Sequence, residues 1–297
     1  MAYKTISTEE SGRRLTVILD RPEKKNALTK KMFAEIRAAV ENAADRNIGV
    51  VTFRGAEGTF SAGVDMSNVP TWIEQKPLEV RDQLEAVHET LRYLESVDLP
   101  LVAALESYVL GGALELAISC DIRVAKTDAE FGLPESNLGL AMNYGGAQKL
   151  PGIIGEGMTK YLIMTGESIG AERAHELGLV ERLADPDSFE EVLDVVQTAT
   201  HYADAGPELL ESERRSGAIP GLTKTTIHRR PKGVAGFISP WNYPVTLSVS
   251  DALPALLAGN AVVLKPAEET THTALLARQL LVDAGLPPAL FQVVSGG

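Results

Sequence analysis

The chain has 297 residues, of which 44% are hydrophobic and 23% are charged. This composition is typical of globular proteins with a substantial buried core. The formal net charge of −12 argues against nucleic-acid binding, because phosphate contacts require clustered lysine and arginine side chains. The apolar runs are broken by proline and glycine, and the first residues are polar, so we expect neither a membrane helix nor a secretory signal. A single cysteine excludes an intrachain disulfide and favours the cytoplasm.

Apolar residues along the first part of the chain predict strands that alternate with helices. Residues 14–20 and 49–55 have the β-branched enrichment of strands. The segment 78–96 instead repeats leucine and valine at helical spacing. This alternation predicts an α/β fold. Further strands are predicted at 99–107, 121–126 and 129–135, and further helices at 30–46, 145–166 and 170–183.

Two glycine-containing segments are candidates for an oxyanion hole. An acyl thioester becomes reactive at its α and β carbons when the charge that develops on its carbonyl oxygen is stabilised, and two preorganised backbone N–H groups do this well. Glycine permits the close approach of backbone that this requires. The segment 61–65 follows a predicted strand, and the segment 110–113 opens a predicted helix whose dipole adds to the effect. Both segments are able to supply such groups.

Two glutamates are candidates for general acid–base catalysis. Adding water to a conjugated double bond, or moving a proton between carbons, requires such a catalyst. Glu115 lies one turn into the predicted helix, and Glu135 follows Pro134 at the start of another element. The pKa values of two neighbouring carboxyl groups are pushed apart, so one holds a water molecule while the other delivers a proton. The alternative is that each is a solvated surface residue, although Glu115 lies in an apolar run where an unpaired charge is costly.

Four motifs occur in order between about residues 3 and 190. They are Arg21-Pro22 followed by Asn26-Ala27-Leu28, SAGVD at 61–65, LGGALELAISCD at 110–121 and FGLPESNLG at 131–139. In these motifs and their spacing the chain resembles the enoyl-CoA hydratase/isomerase, or crotonase, family. The resemblance implies a spiral of ββα units and a coenzyme A thioester substrate, with no further cofactor required. It also implies assembly into trimers or dimers of trimers.

The same resemblance implies roles for individual residues. It places the oxyanion-hole N–H groups at Val64 and Gly112. It places the hydratase glutamates at Glu115 and Glu135, and keeping both favours hydration, because family members with other activities often lack one of them. The implied substrate-binding positions are Lys25, Ala27 and Leu28, in a loop on the adenine side, together with Ala62 and Asp65.

The residues after the second glutamate depart from the resembled family. The family usually continues into a turn that contains Pro-Gly, whereas this chain has Leu140-Ala141-Met142-Asn143-Tyr144 before a pair of glycines. This departure leaves the acyl-chain preference, and the reaction itself, open.

The sequence changes character near residue 190, where the final helices of the crotonase family should follow. From about Leu193 the chain resembles aldehyde dehydrogenases instead, particularly those that oxidise semialdehydes. We therefore predict two domains. Residues 1–190 form a crotonase-like acyl-CoA domain that lacks its usual C-terminal helices, and residues 191–297 form a partial α/β segment of an aldehyde dehydrogenase cofactor domain.

Two motifs of the second domain, SPWNYP at 239–244 and GNAVVLKP at 259–266, carry this resemblance. The side chain of Asn242 is able to donate a hydrogen bond to an oxyanion. The second motif predicts a buried strand that ends at Lys265, with Glu268 three residues later. By resemblance, these two charges are the ribose contacts of NAD(P), and Trp241 belongs to the same cofactor-binding remnant. The alternative for Lys265 and Glu268 is a solvated pair of loop charges.

Aldehyde oxidation is not expected from this chain alone. It requires a nucleophilic cysteine and a general-base glutamate, which the family resemblance would place beyond Gly297, and Cys120 is predicted to be a small buried hydrophobe. The histidines are scattered without metal-ligand spacing, so no metal site is predicted. Three hypotheses remain: an acyl-CoA lyase, an NAD(P)-dependent oxidoreductase fragment that needs a complementary chain, and an inactive fusion with exposed apolar strand edges.

Overall fold

The computed structural model describes residues 3–46, 48–68, 77–216, 224–242 and 244–295. The chain divides into two units, Met1–Phe189 and Glu190–Gly297. Among the helices of the described ranges, none combines the length and the apolar composition of a membrane span.

The strands of the first unit form two sheets. They are β1 (Ile6–Ser11), β2 (Arg14–Leu19), β3 (Val50–Gly55), β4 (Leu101–Leu105), β5 (Tyr108–Leu110), β6 (Ile122–Lys126), β7 (Glu130–Gly132), β8 (Ser168–Gly170) and β9 (Arg182–Ala184).

The larger sheet has the order β1-β2-β3-β4-β6-β9, and the smaller one has the order β5-β7-β8. The larger sheet is parallel except for the pairing of β1 with β2. The chain passes from β4 to β5, and later from β6 to β7, so each turn of the chain gives one strand to each sheet. This arrangement is the predicted spiral of strand–strand–helix units. The sequence pattern does not predict the polar strand β1, because four of its six residues are exposed and apolar residues do not alternate along it.

Helices of the first unit cover the sheets with their apolar faces. Thr29 starts the first of them, since its side chain accepts a hydrogen bond from the backbone N–H of Met32 at 3.1 Å. Phe33, Ile36 and Val40 on the same helix are buried in the core. These helices are α1 (Lys30–Ala44), α2 (Pro77–Ser96), α3 (Gly112–Ala117), α4 (Gly146–Ile154), α5 (Glu156–Thr165) and α6 (Ala171–Glu176).

One predicted helix, 170–183, is wrong in its second half. The helix α6 ends at Glu176, and Arg182–Ala184 is the strand β9, which pairs with β6. The break lies at Gly178, whose φ of +77° is a left-handed conformation that glycine adopts at little cost. The prediction extends the helix through the apolar residues that follow, because the periodicity of a short apolar run does not distinguish a strand from a helix.

The second unit contains a parallel sheet of order β12-β13-β14 and a separate antiparallel pair, β10 with β11. Its elements are α7 (Phe189–Leu210), β10 (Glu213–Ser216), β11 (Lys224–Ile227), β12 (Val234–Ser239), α8 (Pro244–Val249), α9 (Ala252–Leu257), β13 (Ala261–Pro266), α10 (Thr271–Asp283) and β14 (Phe291–Val293).

The predicted buried strand of the second unit is β13, which has a parallel neighbour on each side. Val262 and Leu264 on this strand are fully buried, and they form a core with Phe291 and Ala274. On the edge strand β12 the side chain of Ile238 is 84% exposed. The central strand is therefore well partnered, while an apolar strand edge remains uncovered within the described part of this unit.

Candidate active site

The first oxyanion segment is held by backbone hydrogen bonds to the loop before α1. The N–H of Leu28 donates to the carbonyl of Gly63 at 2.8 Å, and the N–H of Asp65 donates to the carbonyl of Leu28 at 2.9 Å. Gly63 has a φ of +99°, and a side chain there would collide with the carbonyl oxygen of Leu110, 2.7 Å from the position of a Cβ. Glycine is therefore required where the segment passes the second glycine-containing segment.

The second oxyanion segment turns sharply into α3. Gly111 has a φ of +52°, and its N–H donates to the carbonyl of Gly132 at 2.9 Å. Gly112 begins the helix, and a Cβ on it would lie only 2.8 Å from Cγ2 of Val64. The two predicted oxyanion residues are thus in direct contact. Within the described residues, neither the N–H of Val64 nor that of Gly112 has a hydrogen-bond acceptor, so both remain available to a ligand.

Glu115 lies on the first turn of α3, with its side chain buried. Its Oε1 atom accepts hydrogen bonds from the backbone N–H groups of Tyr144 at 3.0 Å and Gly146 at 2.7 Å. Burial is the largest cause that raises its pKa, and the negative charge of Glu135 acts in the same direction. The N–H donors of Gly146 and Tyr144 lower the pKa, and the net value is about 7. A carboxyl group with this pKa exchanges protons readily near neutral pH.

Glu135 lies on a short 3-10 helix, Pro134–Leu138, and faces the turn at Gly111. A Cβ built on Gly111 would lie 2.5 Å from its Oε1 atom, so this glycine makes room for the carboxyl group. Its Oε2 atom is buried and has no hydrogen-bond partner among the described residues. Burial also raises the pKa of Glu135. An unpartnered buried carboxyl oxygen of this kind is free to bind a reacting group.

Both glutamates line one pocket of about 80 Å³. Val64 and Gly111 also line this pocket. The remaining lining is mostly apolar, which suits an acyl chain rather than a charged ligand. It consists of Ala62, Gly63, Met66, Pro134, Leu138, Leu140, Ala141, Asn143 and Tyr144. The departure at 140–144 that the sequence showed therefore falls on the wall of this pocket.

The predicted substrate loop lies beside the first oxyanion segment. The carbonyl of Lys25 accepts a hydrogen bond from the N–H of Ala62 at 3.0 Å. The Nζ atom of Lys25 lies 4.4 Å from the centroid of the Tyr108 ring. The carbonyl of Ala27 accepts from the guanidinium of Arg21 at 2.6 Å. The side chain of Leu28 is fully buried, and its backbone is hydrogen-bonded to Gly63 and Asp65 of the first oxyanion segment.

Asp65 holds the loop together rather than facing the pocket. Its Oδ2 atom accepts from the guanidinium of Arg21 at 2.7 Å, and its Oδ1 atom accepts from the hydroxyl of Ser67 at 2.6 Å. The hydroxyl of Ser67, followed by Arg21, lowers the pKa of Asp65 to about 2. The carboxylate therefore stays ionised at neutral pH, and Asp65 positions the neighbouring Val64.

Asn26 is a structural residue of the site to which sequence reasoning assigned no role. It is fully buried, and its Oδ1 atom accepts from the backbone N–H of Arg21 at 3.0 Å. Its Nδ2 atom donates to the carbonyls of Ala56 at 2.9 Å and Thr59 at 2.6 Å. These bonds join the substrate loop to the segment that follows β3. The motif Asn26-Ala27-Leu28 was the available signal.

Comparison with known protein families identifies relatives of the first unit. A model of the enoyl-CoA hydratase/isomerase family matches residues 10–216, more than half of the chain. The chain belongs to the enoyl-CoA hydratase/isomerase family. The crotonyl-CoA hydratase of Syntrophomonas wolfei is 34% identical over 192 residues, which cover 64% of this chain and 72% of that protein.

Solved structures of this hydratase/isomerase family share the fold. The enoyl-CoA hydratase of Thermoplasma volcanium GSS1 matches with a TM-score of 0.61 and 29% sequence identity, covering 69% of this chain and 83% of its own. The predicted spiral fold of the first part is thereby confirmed.

The second unit has relatives of another kind. A model of the aldehyde dehydrogenase family matches residues 171–297 and overlaps the hydratase/isomerase match over 171–216. A protein of Mycolicibacterium smegmatis described as a succinate-semialdehyde dehydrogenase (NADP+) is 51% identical over 107 residues, 36% of this chain. The chain spans only 21% of the length of that relative. The predicted resemblance to two families is confirmed.

The structure brings the predicted cofactor residues of the second unit to one edge of its sheet. Trp241 and Asn242 follow β12. Lys265 is the penultimate residue of β13, which continues to Pro266, and Glu268 follows that strand. The N–H of Ala267 donates to the carbonyl of Ser239 at 3.0 Å, which ties the two strand ends together. Ligands of parallel α/β sheets bind at this carboxyl edge. Trp241, at 68% exposure, and Asn242 are both exposed there.

Cys120 and the histidines belong to the residue types that supply nucleophiles and metal ligands. Cys120 is buried, and burial raises the pKa of its thiol to about 12, so it is a poor nucleophile. Within the described ranges, no group of three or more histidine, cysteine, aspartate or glutamate side chains is arranged to hold a metal ion.

Proposed function

We propose that the first unit adds water across the double bond of a 2-enoyl-CoA thioester. The observation that carries this proposal is that two carboxyl groups and Val64 line one apolar pocket, while Gly112 lies against Val64. Glu115 and Glu135 line the pocket, and the N–H groups of Val64 and Gly112 have no acceptor among the described residues. This combination is what hydration of a conjugated thioester requires.

In the proposed reaction the thioester carbonyl accepts hydrogen bonds from Val64 and Gly112. One ionised glutamate takes a proton from water as the water oxygen bonds to Cβ, and the π electrons of the double bond move toward the carbonyl oxygen. The other glutamate, protonated at the start, then gives its proton to Cα. The pair ends with one proton, as it began, and the product is the 3-hydroxyacyl thioester. Because the two carboxyl groups interact, each apparent pKa in the dependence of rate on pH is a property of the pair and not of one glutamate.

The retention of both carboxyl groups supports hydration over isomerisation. Moving a proton between two carbons needs a single group that accepts and returns it, whereas addition of water needs groups at two positions. Glu115 is fixed by two backbone donors, while Glu135 has a buried oxygen with no partner among the described residues. These different surroundings suit the two different tasks.

Loss of absorbance of the conjugated thioester on the full chain with crotonyl-CoA tests the proposal. Wild-type protein is expected to turn over, while E115Q and E135Q each lose at least about a hundredfold in kcat and retain their affinity for coenzyme A. E156Q is the matched control, because that carboxylate is exposed on α5 and pairs only with Lys160 among the described residues. Full activity in E115Q or E135Q would contradict the two-glutamate mechanism.

For the second unit, the edge shared by Asn242, Lys265 and Glu268 favours binding of a nicotinamide cofactor. We propose that this edge is a remnant NAD(P) site that does not itself oxidise aldehydes. Calorimetry with NADP+ on the full chain tests it, with K265A as the variant expected to bind less tightly. Equal heats for wild type and K265A, or no heat at all, would contradict the site.

The first unit is further proposed to assemble as a trimer or a dimer of trimers, as its family resemblance implies. Sedimentation velocity of the full chain distinguishes these states from the 31.8 kDa monomer. A monomer at micromolar concentration would contradict the assembly.

A further inference from the structure

A second cavity lies beside the acyl pocket, between α2 and the start of α4. Its volume is about 220 Å³, compared with about 80 Å³ for the acyl pocket. Leu91 and His88 on α2 line one side, and Gln148 and Lys149 on α4 line the other. The two cavities share the wall residues Asn143 and Tyr144.

The ring of Tyr144 is fixed in this wall. It packs edge to face on Phe33, with ring centroids 5.3 Å apart, and it is only 6% exposed. On its other side, a Cβ built on Gly112 would lie 3.0 Å from the ring atoms Cδ2 and Cε2. The ring is therefore wedged between the helix α1 and the glycine that carries an oxyanion N–H group. It has little room to move aside for a ligand.

The neighbouring backbone is also tied down. The carbonyl of Asn143 is hydrogen-bonded to Nε2 of His88, and the N–H of Tyr144 donates to Glu115 at 3.0 Å. On the far side of the second cavity, Lys149 pairs with Glu95 and donates to the hydroxyl of Ser119 at 3.0 Å. The partition between the cavities is thus formed by Asn143 and Tyr144 on an anchored segment, and the ring of Tyr144 is its largest side chain.

We infer that the ring of Tyr144 sets the length of the acyl chain by closing the acyl pocket against the second cavity. This inference rests on the proposed function, since it names the substrate class of that same site as short-chain enoyl-CoA thioesters. Removing the ring joins the two spaces and adds the volume of the ring itself, whose surroundings at Phe33 and Gly112 are apolar. Additional methylene groups then leave water for this apolar space, which favours longer acyl chains.

The side chain and the backbone of Tyr144 have separable roles. Its N–H group holds Glu115 and is present in every variant except proline, so shortening the side chain leaves that hydrogen bond in place. A change in chain-length preference therefore reports on the wall, whereas a merely structural role would lower turnover of all chain lengths together.

The test compares kcat/KM for four-carbon and eight-carbon 2-enoyl-CoA thioesters on the full chain. Wild-type protein is expected to favour the four-carbon substrate, and Y144A is expected to raise the ratio of eight-carbon to four-carbon kcat/KM by at least about tenfold. Y144F keeps the ring and is expected to keep the wild-type ratio. Q148A enlarges the second cavity without opening the wall, so its ratio should also match wild type.

An unchanged ratio in folded Y144A would overturn the inference, and so would a shift in Q148A equal to that in Y144A. If circular dichroism shows that Y144A is unfolded, Y144L replaces it with the same expected direction. Calorimetric affinities for saturated four-carbon and eight-carbon acyl-CoA thioesters give a readout that needs no turnover. If wild type does not hydrate crotonyl-CoA but Y144A still binds the eight-carbon thioester relatively more tightly than wild type does, only the proposed function is overturned. Absence of acyl-CoA binding overturns both.

Discussion

The backbone N–H of Tyr144 donates to Oε1 of Glu115 at 3.0 Å, so the residue that walls the acyl pocket also holds a glutamate of the candidate site. The same carboxyl oxygen accepts from Gly146, which fixes its direction. Changing the side chain at position 144 therefore leaves the backbone donor to Glu115 in place.

Replacing Glu115 with glutamine is expected to stabilise the protein at alkaline pH. Burial raises the pKa of Glu115 from 4.5 in the unfolded chain to about 7. The folded state therefore binds the proton more tightly, and stability is lost as pH rises from the unfolded pKa through the folded one. Glutamine is neutral throughout, so E115Q should exceed wild type in free energy of unfolding by about 3 kcal/mol at pH 8. Near pH 4 the difference should vanish.

Denaturant titrations of wild type and E115Q at several pH values measure this difference. E156Q, at an exposed position on α5, should show no comparable pH-dependent gain. A difference between E115Q and wild type that is the same at pH 4 and pH 8 would mean that the buried carboxyl group does not titrate as described.

Gly112→Ala is expected to disrupt the proposed oxyanion hole. A Cβ at this position would lie 2.8 Å from Cγ2 of Val64 and 3.0 Å from the ring of Tyr144, so these side chains or the backbone of Gly112 must shift. Misplacing one oxyanion donor costs roughly a hundredfold in kcat. The control is Gly157→Ala on α5, where a Cβ meets nothing within 4 Å; that variant should retain its rate of crotonyl-CoA hydration. Equal rates for the two alanine variants would argue against Gly112 as an oxyanion residue.

Asn26 is expected to contribute to stability through both its side chain and its backbone. It makes three hydrogen bonds from a fully buried position, and its φ is +55°. Asn26→Gly keeps the left-handed backbone and loses the bonds, at a cost of about 2 to 4 kcal/mol in unfolding free energy. Asn26→Ala adds the strain of a Cβ in that conformation, about 1 kcal/mol more. Thermal unfolding of the two variants should rank alanine below glycine, and the reverse order would refute the backbone component.

Glu191 is expected to stabilise the second unit by capping α8. Its Oε1 atom accepts from the backbone N–H groups of Val245 and, at 3.0 Å, of Thr246. Replacing it with alanine leaves those donors without their carboxylate and should cost about 1 kcal/mol. Hydrogen exchange of residues 244–257 measures this loss, with Glu208→Ala on the exposed face of α7 as the control. Equal protection in the two variants would show that the cap contributes nothing.

The sequence alone determined which chemistry-bearing residues the first unit contains. Glu115 stood out because an unpaired charge inside an apolar run is costly, and the glycines at 63, 111 and 112 indicated a close approach of the backbone. The strand β13 was also predictable, since an uninterrupted apolar run that ends in Lys-Pro favours a buried strand. The change of family near residue 190 was readable because the motifs on either side are long and ordered.

Only the tertiary structure decided how these residues meet. The contact of Val64 with Gly112 joins segments almost fifty positions apart in the chain, and no local pattern encodes such a distance. The same is true of Asn26, whose hydrogen bonds reach Ala56 and Thr59, and of β9, whose identity as a strand depends on the neighbouring β6. Propensity and periodicity act over one element, whereas the pKa of Glu115 and the wall at Tyr144 arise from packing between elements, which burial creates.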